Sequence, residues 1–181
     1  MKLARLRVEP GVCPSWLRAN GVRFTPAPLT GRAPGCDAPG AVRLAASAAA
    51  LTPAAPVMDC PLAAAYLVWE RGALEPLARS RNARLAAVEH VGTYACRSIA
   101  GRSALSQHAR ARAIDITGVR LSDGTRLSVE RDWRNDGPAG RWIRAARARA
   151  CGLFAGVLSP DYNAAHRTHL HLDAGPYGIC G

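Results

Sequence analysis

Six cysteines, Cys13, Cys36, Cys60, Cys96, Cys151 and Cys180, are spread almost evenly along the 181 residues, and no other feature constrains the fold as much. Their number is even and none are spaced as C-x-x-C, so a zinc ribbon or thioredoxin-type motif has no support. Disulfides staple such a chain from end to end, and they persist in oxidising compartments. The periplasm or extracellular envelope is therefore the expected location. Of the fifteen ways to pair six cysteines, the expected set is Cys13–Cys36 near the N-terminus, Cys60–Cys151 between two helices and Cys96–Cys180 beside the site.

The opening stretch, M-K-L-A-R-L-R-V-E-P-G, lacks the apolar run of about 7–15 residues that a secretory signal needs. No stretch of about 18 apolar residues is present to span a membrane. An envelope location then implies a mature fragment or a late start; the alternative is a cytosolic protein with reduced cysteines. The chain is long enough to bury one core without staples, and a monomer is expected. Apolar residues at 49% and charged residues at 20% exclude a disordered chain, although alanine inflates the apolar share. Lys+Arg minus Asp+Glu is 24 − 13 = +11, and Lys2 is the one lysine. That charge attracts nucleic acid, anionic lipid and anionic wall polymer by the same long-range field, and a coding habit of the genome also produces it. With no zinc finger, helix-turn-helix or RNP string, no specific nucleic-acid partner is expected.

Residues 1–57 read as an irregular lead-in wrapped on the core, broken by eight prolines, with helical character only at Ser15 to Asn20 and strand character at 22–24. The domain proper spans 58–181. Asp59 and Pro61 start an amphipathic helix with Leu62, Ala65, Tyr66 and Trp69 on one stripe, which Pro76 kinks or ends before Arg79. Strands are expected at Leu85–Val91, Thr93–Arg97 and 113–119. Asp123-Gly124 predicts a type I′ hairpin pairing 114–121 with 126–130. A second helix runs from Pro138 through Cys151, and a last strand covers 169–173. The fold class is α+β, a small antiparallel sheet with helices packed beside it.

Within that frame, five histidines are few enough to weigh singly. His169 and His171 alternate with Leu170 and Leu172, so a strand puts both imidazoles and Asp173 on one face and the leucines in the core. Asp115 stands between Ile114 and Ile116 and faces either a site or solvent. His108 precedes that strand by seven residues. Taken together, His108, Asp115 and the H-x-H pair supply three ligands and a spare imidazole, and three protein ligands with one open position are a catalytic zinc arrangement. His90, beside Glu89, is read as structural. Trp69, Trp133 and Trp142 are read as core rather than a sugar platform, and Asp161, Tyr162 and Asn163 as shaping the approach to the last strand.

The pattern S-x-H-x6-D followed by H-x-H is similar to the lysostaphin-type and D-Ala-D-Ala zinc metallopeptidases. The wider strings C-P-L-A-A-A, G-T-Y-A-C-R, G-R-S-A-L-S-Q-H-A and D-Y-N-A-A-H-R-T-H-L-H-L-D resemble the bacterial extensin-like C-terminal domain family over roughly Cys13 to Cys180. The resemblance implies a metallopeptidase-like fold holding zinc through His108, Asp115 and His171 and acting on peptidoglycan peptides. It makes His169 and His166 the acid–base candidates, places Arg97 and Arg102 where a substrate carboxylate is held, and makes Ser106 a turn or supporting residue, as Asp173 is behind the ligands. Three positions depart from the family pattern: Ala111 for a favoured Gly, Gln107 for a frequent Glu, and Thr168 for a common Asp that serves as general base in several related peptidases. The Thr168 departure leaves open a second reading, a metal-containing module that binds peptidoglycan or another polyanion without turnover.

Overall fold

The computed structural model describes Leu6, Glu9 and residues 11–181; the opening stretch read above for a signal segment lies mostly outside the described residues. Asp59 does what its position predicts. Its side chain accepts the Leu62 N–H and caps helix α2 (Cys60–Trp69), which continues through a π-helical stretch, Glu70–Leu74, into α3 (Glu75–Arg79). Pro76 does not end the helix. It sits in the first turn of α3, and the Glu75 N–H before it bonds the Glu70 carbonyl five residues back, a wider turn that absorbs the missing donor.

Helix α2 is buried almost all round rather than along one stripe, with Leu62, Ala63, Ala64, Ala65, Tyr66, Leu67 and Trp69 all in the core. The cover comes from residues 11–57, which are more regular than their prolines suggest. They carry α1 (Val12–Ala19) and the strands β1 (Arg23–Pro26), β2 (Ala41–Ala46) and β3 (Ala50–Thr52); β4 (Val57–Asp59) completes an antiparallel sheet of order β1-β2-β4. Pro14 falls in the first turn of α1, and the other prolines of this segment fall at strand ends and in the connections, where no ladder bond is lost.

The main sheet has the order β10 (Ile179–Cys180), β8 (Gly156–Leu158), β9 (Leu170–Asp173), β6 (Ala113–Leu121), β5 (Leu85–His90), β3, with β7 (Arg126–Ser128) also paired to β6. Its antiparallel centre is β8, β9, β6 and β5. Two short edge strands, β3 and β10, pair parallel. After the short helix α4 (Val129–Asp132), helix α5 (Pro138–Ala150) runs where its spacing predicts and buries Trp142, Ile143, Ala146 and Ala150. The Trp69 indole donates to the Ala146 carbonyl at 2.9 Å, and Trp69, Trp133 and Trp142 all lie in the core. The architecture is α+β, as expected.

Two local readings need correction. Thr93–Arg97 is not a strand. After the Val91 N–H bonds the Asp115 carbonyl and the Gly92 carbonyl accepts the Asp115 N–H, the chain leaves the sheet; the Ala95 N–H bonds the His108 carbonyl, and a disulfide draws Cys96 toward Cys36. The hairpin between β6 and β7 (Arg126–Ser128) forms, but only Gly124 takes a positive φ (86°), and the Gly124 N–H bonds the Leu121 carbonyl. The turn is therefore one ordinary turn closed by a left-handed glycine, not type I′.

All six cysteines are paired, but as Cys13–Cys60, Cys36–Cys96 and Cys151–Cys180, so each of the three expected pairs is corrected. The reason is packing that sequence spacing does not encode. Helix α1 lies on α2, which brings Cys13 to Cys60; β10 runs alongside β8, five residues after Cys151, which brings in Cys180. Two of the bonds tie residues 11–57 to the rest, and in the chain-entropy account loops of this length contribute roughly 3–5 kcal/mol each.

Glu70 fixes the crossing from β2 to β3. Fully buried, it accepts bonds from the Ser47 hydroxyl (2.8 Å), the Ala48 and Ala49 N–H groups and the Tyr66 hydroxyl (3.1 Å), while burial pushes its carboxyl up. Glu70→Ala leaves the Ala48 and Ala49 N–H groups and the Tyr66 hydroxyl without this acceptor, while the Ser47 hydroxyl keeps the Ala49 carbonyl, and is expected to cost about 3 kcal/mol, with Glu70→Gln costing less because it keeps one oxygen. Urea unfolding with the disulfides intact measures both; equal, small losses would contradict this account.

Candidate metal centre

Strands β6 and β9 pair with Asp115 directly opposite His171 and Ile114 opposite Leu172. Period-two alternation then sends Ile114, Ile116, Leu170 and Leu172 into the core and Asp115, His171 and Asp173 to the other face. That face is covered, not wet, because the chain brings a third group over it. Ser106 caps a single 3₁₀ turn, Gln107–Arg110, by accepting the His108 N–H, and the turn lowers His108 onto Asp115. Ala111 ends it in the left-handed region at φ 52°, which costs an L-residue about 1–2 kcal/mol.

The ligand atoms of His108, Asp115 and His171 all lie within 4.8 Å of one another, and all three residues are buried. His108 Nε2 is 3.1 Å from one carboxylate oxygen of Asp115, and His171 Nδ1 is 2.9 Å from the other. The two imidazole nitrogens are 3.3 Å apart. Two imidazole nitrogens and one carboxylate oxygen converging on one point are a borderline-hard donor set of the kind zinc accepts. Among the described residues this is the one group with that convergence.

Electrostatics follow from the packing. Burial alone would raise the Asp115 carboxyl, but the bonds from His108 and His171 outweigh it and hold it well below the usual carboxylate range. Burial alone would lower His171, but Asp115 and Asp173 push it up to about 9. His171 Nε2 faces Asp173 Oδ2 at 3.2 Å, so Nδ1 is the atom turned to the centre. Asp173 is 1% exposed and, besides His171, is held by the Gly175 N–H and the Tyr177 hydroxyl. Asp173 thus lies behind His171, on the side away from Asp115. Tyr177 was not expected, since it sits in a G-P-Y-G turn with no periodicity to reveal it.

The remaining candidates are arranged around this group. His169, just before β9, places Nε2 3.5 Å from Asp115, and its Nδ1 meets the Thr168 hydroxyl at 3.4 Å. His166 lies with its ring centroid 5.4 Å from His169 and 5.7 Å from His171. Burial lowers both, His166 to about 4 with the help of the neighbouring imidazoles, so both are neutral at neutral pH. Asn163 Oδ1 already accepts the Ala165 N–H and lies 2.7 Å from His166 Nδ1, which fixes the hydrogen on Nδ1 and leaves Nε2 as an acceptor. The Tyr162 ring meets His166 edge-on at 5.8 Å. Arg97 is exposed, and its charge acts on both His166 and His169. Arg102 lies in the exposed turn closed by the Ser98–Leu105 bridge, and no bond from its side chain to the centre occurs among the described residues. His90 is structural, its Nε2 2.9 Å from the Pro53 carbonyl.

Comparison with known proteins yields one relationship. The family model described as Extensin-like protein C-terminus matches residues 11–181, nearly the whole chain. No curated protein and no solved structure matches it.

Because His171 holds a proton up to about pH 9 without an ion, loading the centre must expel it. Zinc titrated into metal-free protein at pH 7.5 is expected to release about one proton and to bind about tenfold more weakly for each pH unit below that range. Calorimetry in buffers of different ionisation enthalpy measures the release, and a result of zero would contradict the assignment of Nδ1 as ligand. His108→Ala should lose most of the affinity.

Proposed function

The chain belongs to the extensin-like protein C-terminus family, and from that premise we propose that it is a zinc-dependent hydrolase of the cell envelope acting on peptidoglycan peptides. The observation that carries the reading is the convergence of His108, Asp115 and His171 beneath two neutral, unligated imidazoles. Zinc in such a site supplies Lewis acidity and a nucleophilic water near neutral pH. The three disulfides, joining every cysteine, favour an oxidising compartment. No helix among the described residues is long and apolar enough to cross a membrane.

The chain's own residues divide the work. His108, Asp115 and His171 hold the ion, with Asp173 fixing the His171 ring. His169, nearest to Asp115 of the two free imidazoles, takes a proton from the attacking water and returns it to the leaving amine. His166 Nε2 is free to accept a second bond from water or substrate. Arg97, exposed beside both, attracts a substrate carboxylate, and Arg102 on the neighbouring turn extends the same positive edge. The net charge of +11 concentrates anionic wall peptides around the molecule.

Thr168 favours a second reading, a metal-containing module that binds peptidoglycan or another polyanion without hydrolysis. Its hydroxyl touches His169 where several related peptidases carry a carboxylate base, and a hydroxyl cannot hold the proton.

Zinc-loaded wild type, His169→Ala and Thr168→Asp, assayed on the same muropeptides at equal occupancy, separate the two readings. If His169 is the acid–base group, its loss keeps the metal and lowers hydrolysis by about 10²–10⁴-fold. Thr168→Asp should raise the rate. An inactive wild type that still sediments with peptidoglycan, with neither variant changing the outcome, would leave only the binding reading.

A further inference from the structure

Asp173 is an unusual carboxylate for a chain with 24 Lys and Arg residues. It is 1% exposed, and its bonds come from an imidazole, a backbone N–H and a phenol rather than from a guanidinium. The Gly175 N–H anchors Oδ1 at 2.7 Å, and the Tyr177 hydroxyl anchors Oδ2 at 2.8 Å, the same oxygen that faces His171 Nε2 at 3.2 Å. Two anchors on two oxygens stop the carboxylate from rotating. Tyr177 itself is 42% exposed, so its ring is not drawn in by burial; its hydroxyl reaches inward past the ring.

The surroundings hold that geometry. A Cβ at Gly156 would run into the Asp173 carboxylate, and one at Gly175 would come within 2.8 Å of the Tyr177 ring. Both backbones therefore press against the pair as only glycine allows. Beyond Tyr177 the chain cannot swing away, because Ile179 bonds the Ala155 carbonyl, Gly181 bonds the Val157 carbonyl, and Cys180 is bonded to Cys151. Residues 174–181 form a clasp whose inward-pointing tip is the tyrosine hydroxyl.

We propose that Tyr177 is a positioning residue for the metal centre, acting through Asp173 to hold His171 with Nδ1 aimed at the ion. The inference rests on the metal-centre reading above. Partners standing behind metal-ligating histidines fix the ring orientation and the tautomer, and their loss typically costs about 10–100-fold in metal affinity. Tyr177 stands one bond further back, and although its hydroxyl also meets the Gln107 side chain beside His108, an effect carried through Asp173 vanishes when Asp173 can no longer transmit it.

Zinc dissociation constants, measured by competition with a chromophoric chelator, test this on wild type, Tyr177→Phe, Asp173→Asn and the double variant. Tyr177→Phe keeps the ring against Gly156 and Gly175 and removes only the hydroxyl. It is expected to weaken zinc binding about tenfold, Asp173→Asn to weaken it toward the upper end of that range, and the double variant to match Asp173→Asn alone. A merely structural contribution from the hydroxyl would instead multiply with the loss at Asp173. Wild-type affinity in Tyr177→Phe, or multiplying losses in the double variant, overturns the inference and leaves the metal centre standing. A wild type that binds no zinc overturns both.

Discussion

The antiparallel register between β6 and β9 is the constraint on which core and site both depend. With Asp115 opposite His171 and Ile114 opposite Leu172, one pair of strands presents aliphatic side chains to α2 and α5 on one face and a metal-type donor set on the other. A slip of one residue would exchange the faces, burying a carboxylate and an imidazole among tryptophans and exposing isoleucine and leucine. The aliphatic face therefore holds the site in register. Burying four large aliphatic side chains, at about 1.5–3 kcal/mol each, outweighs the cost of covering Asp115 and His171, which in any case satisfy one another.

The N-terminal residues serve the same end. Helix α2 is apolar all round, so the main sheet and α5 cannot cover it alone, and α1 and the β1-β2-β4 sheet provide the second layer over it. Their prolines and small residues would hold that layer weakly on their own. Cys13–Cys60 fastens it at the N-terminus of α2. Cys36–Cys96 fastens it to the loop that leads into the His108 turn. The second bond couples the lead-in to the site, because the same loop carries Arg97 and its backbone meets both Asp115 and His108.

How much of this was legible in the sequence follows from the kind of interaction involved. Strand periodicity reveals Ile114-Asp115-Ile116 and Leu170-His171-Leu172 because alternation is written in consecutive residues, and the same local logic finds the Asp59 cap and the face of α5. His108 was legible only as part of a pattern; its descent onto Asp115 depends on the left-handed step at Ala111, which a sequence shows only as an alanine where glycine is favoured. The parallel edge strands β3 and β10 are too short to carry a period, and their partners lie far along the chain. Disulfide partners depend on which helix lies on which, as Cys13 and Cys60 do, and cysteine spacing carries no trace of that. Tyr177 was invisible for a related reason: a turn residue acquires its role from where the clasp is tied, by Cys180 and by β8, not from its neighbours.

The distribution of arginine makes the last connection between composition and site. Most acidic side chains that make ion pairs do so with guanidinium groups: Asp59 with Arg112, Glu89 with Arg126, Asp132 with Arg131, Glu75 with Arg79. Asp115 and Asp173 stand apart, because among the described residues their bonds come from histidines, a tyrosine and the backbone. A guanidinium on either acid would form a bidentate pair and close both its oxygens permanently. An imidazole differs in that it gives up its proton and becomes a ligand as soon as a cation competes for the same space. Excluding arginine from these two buried acids keeps the centre able to take an ion, while the net charge of +11 stays in the outer field.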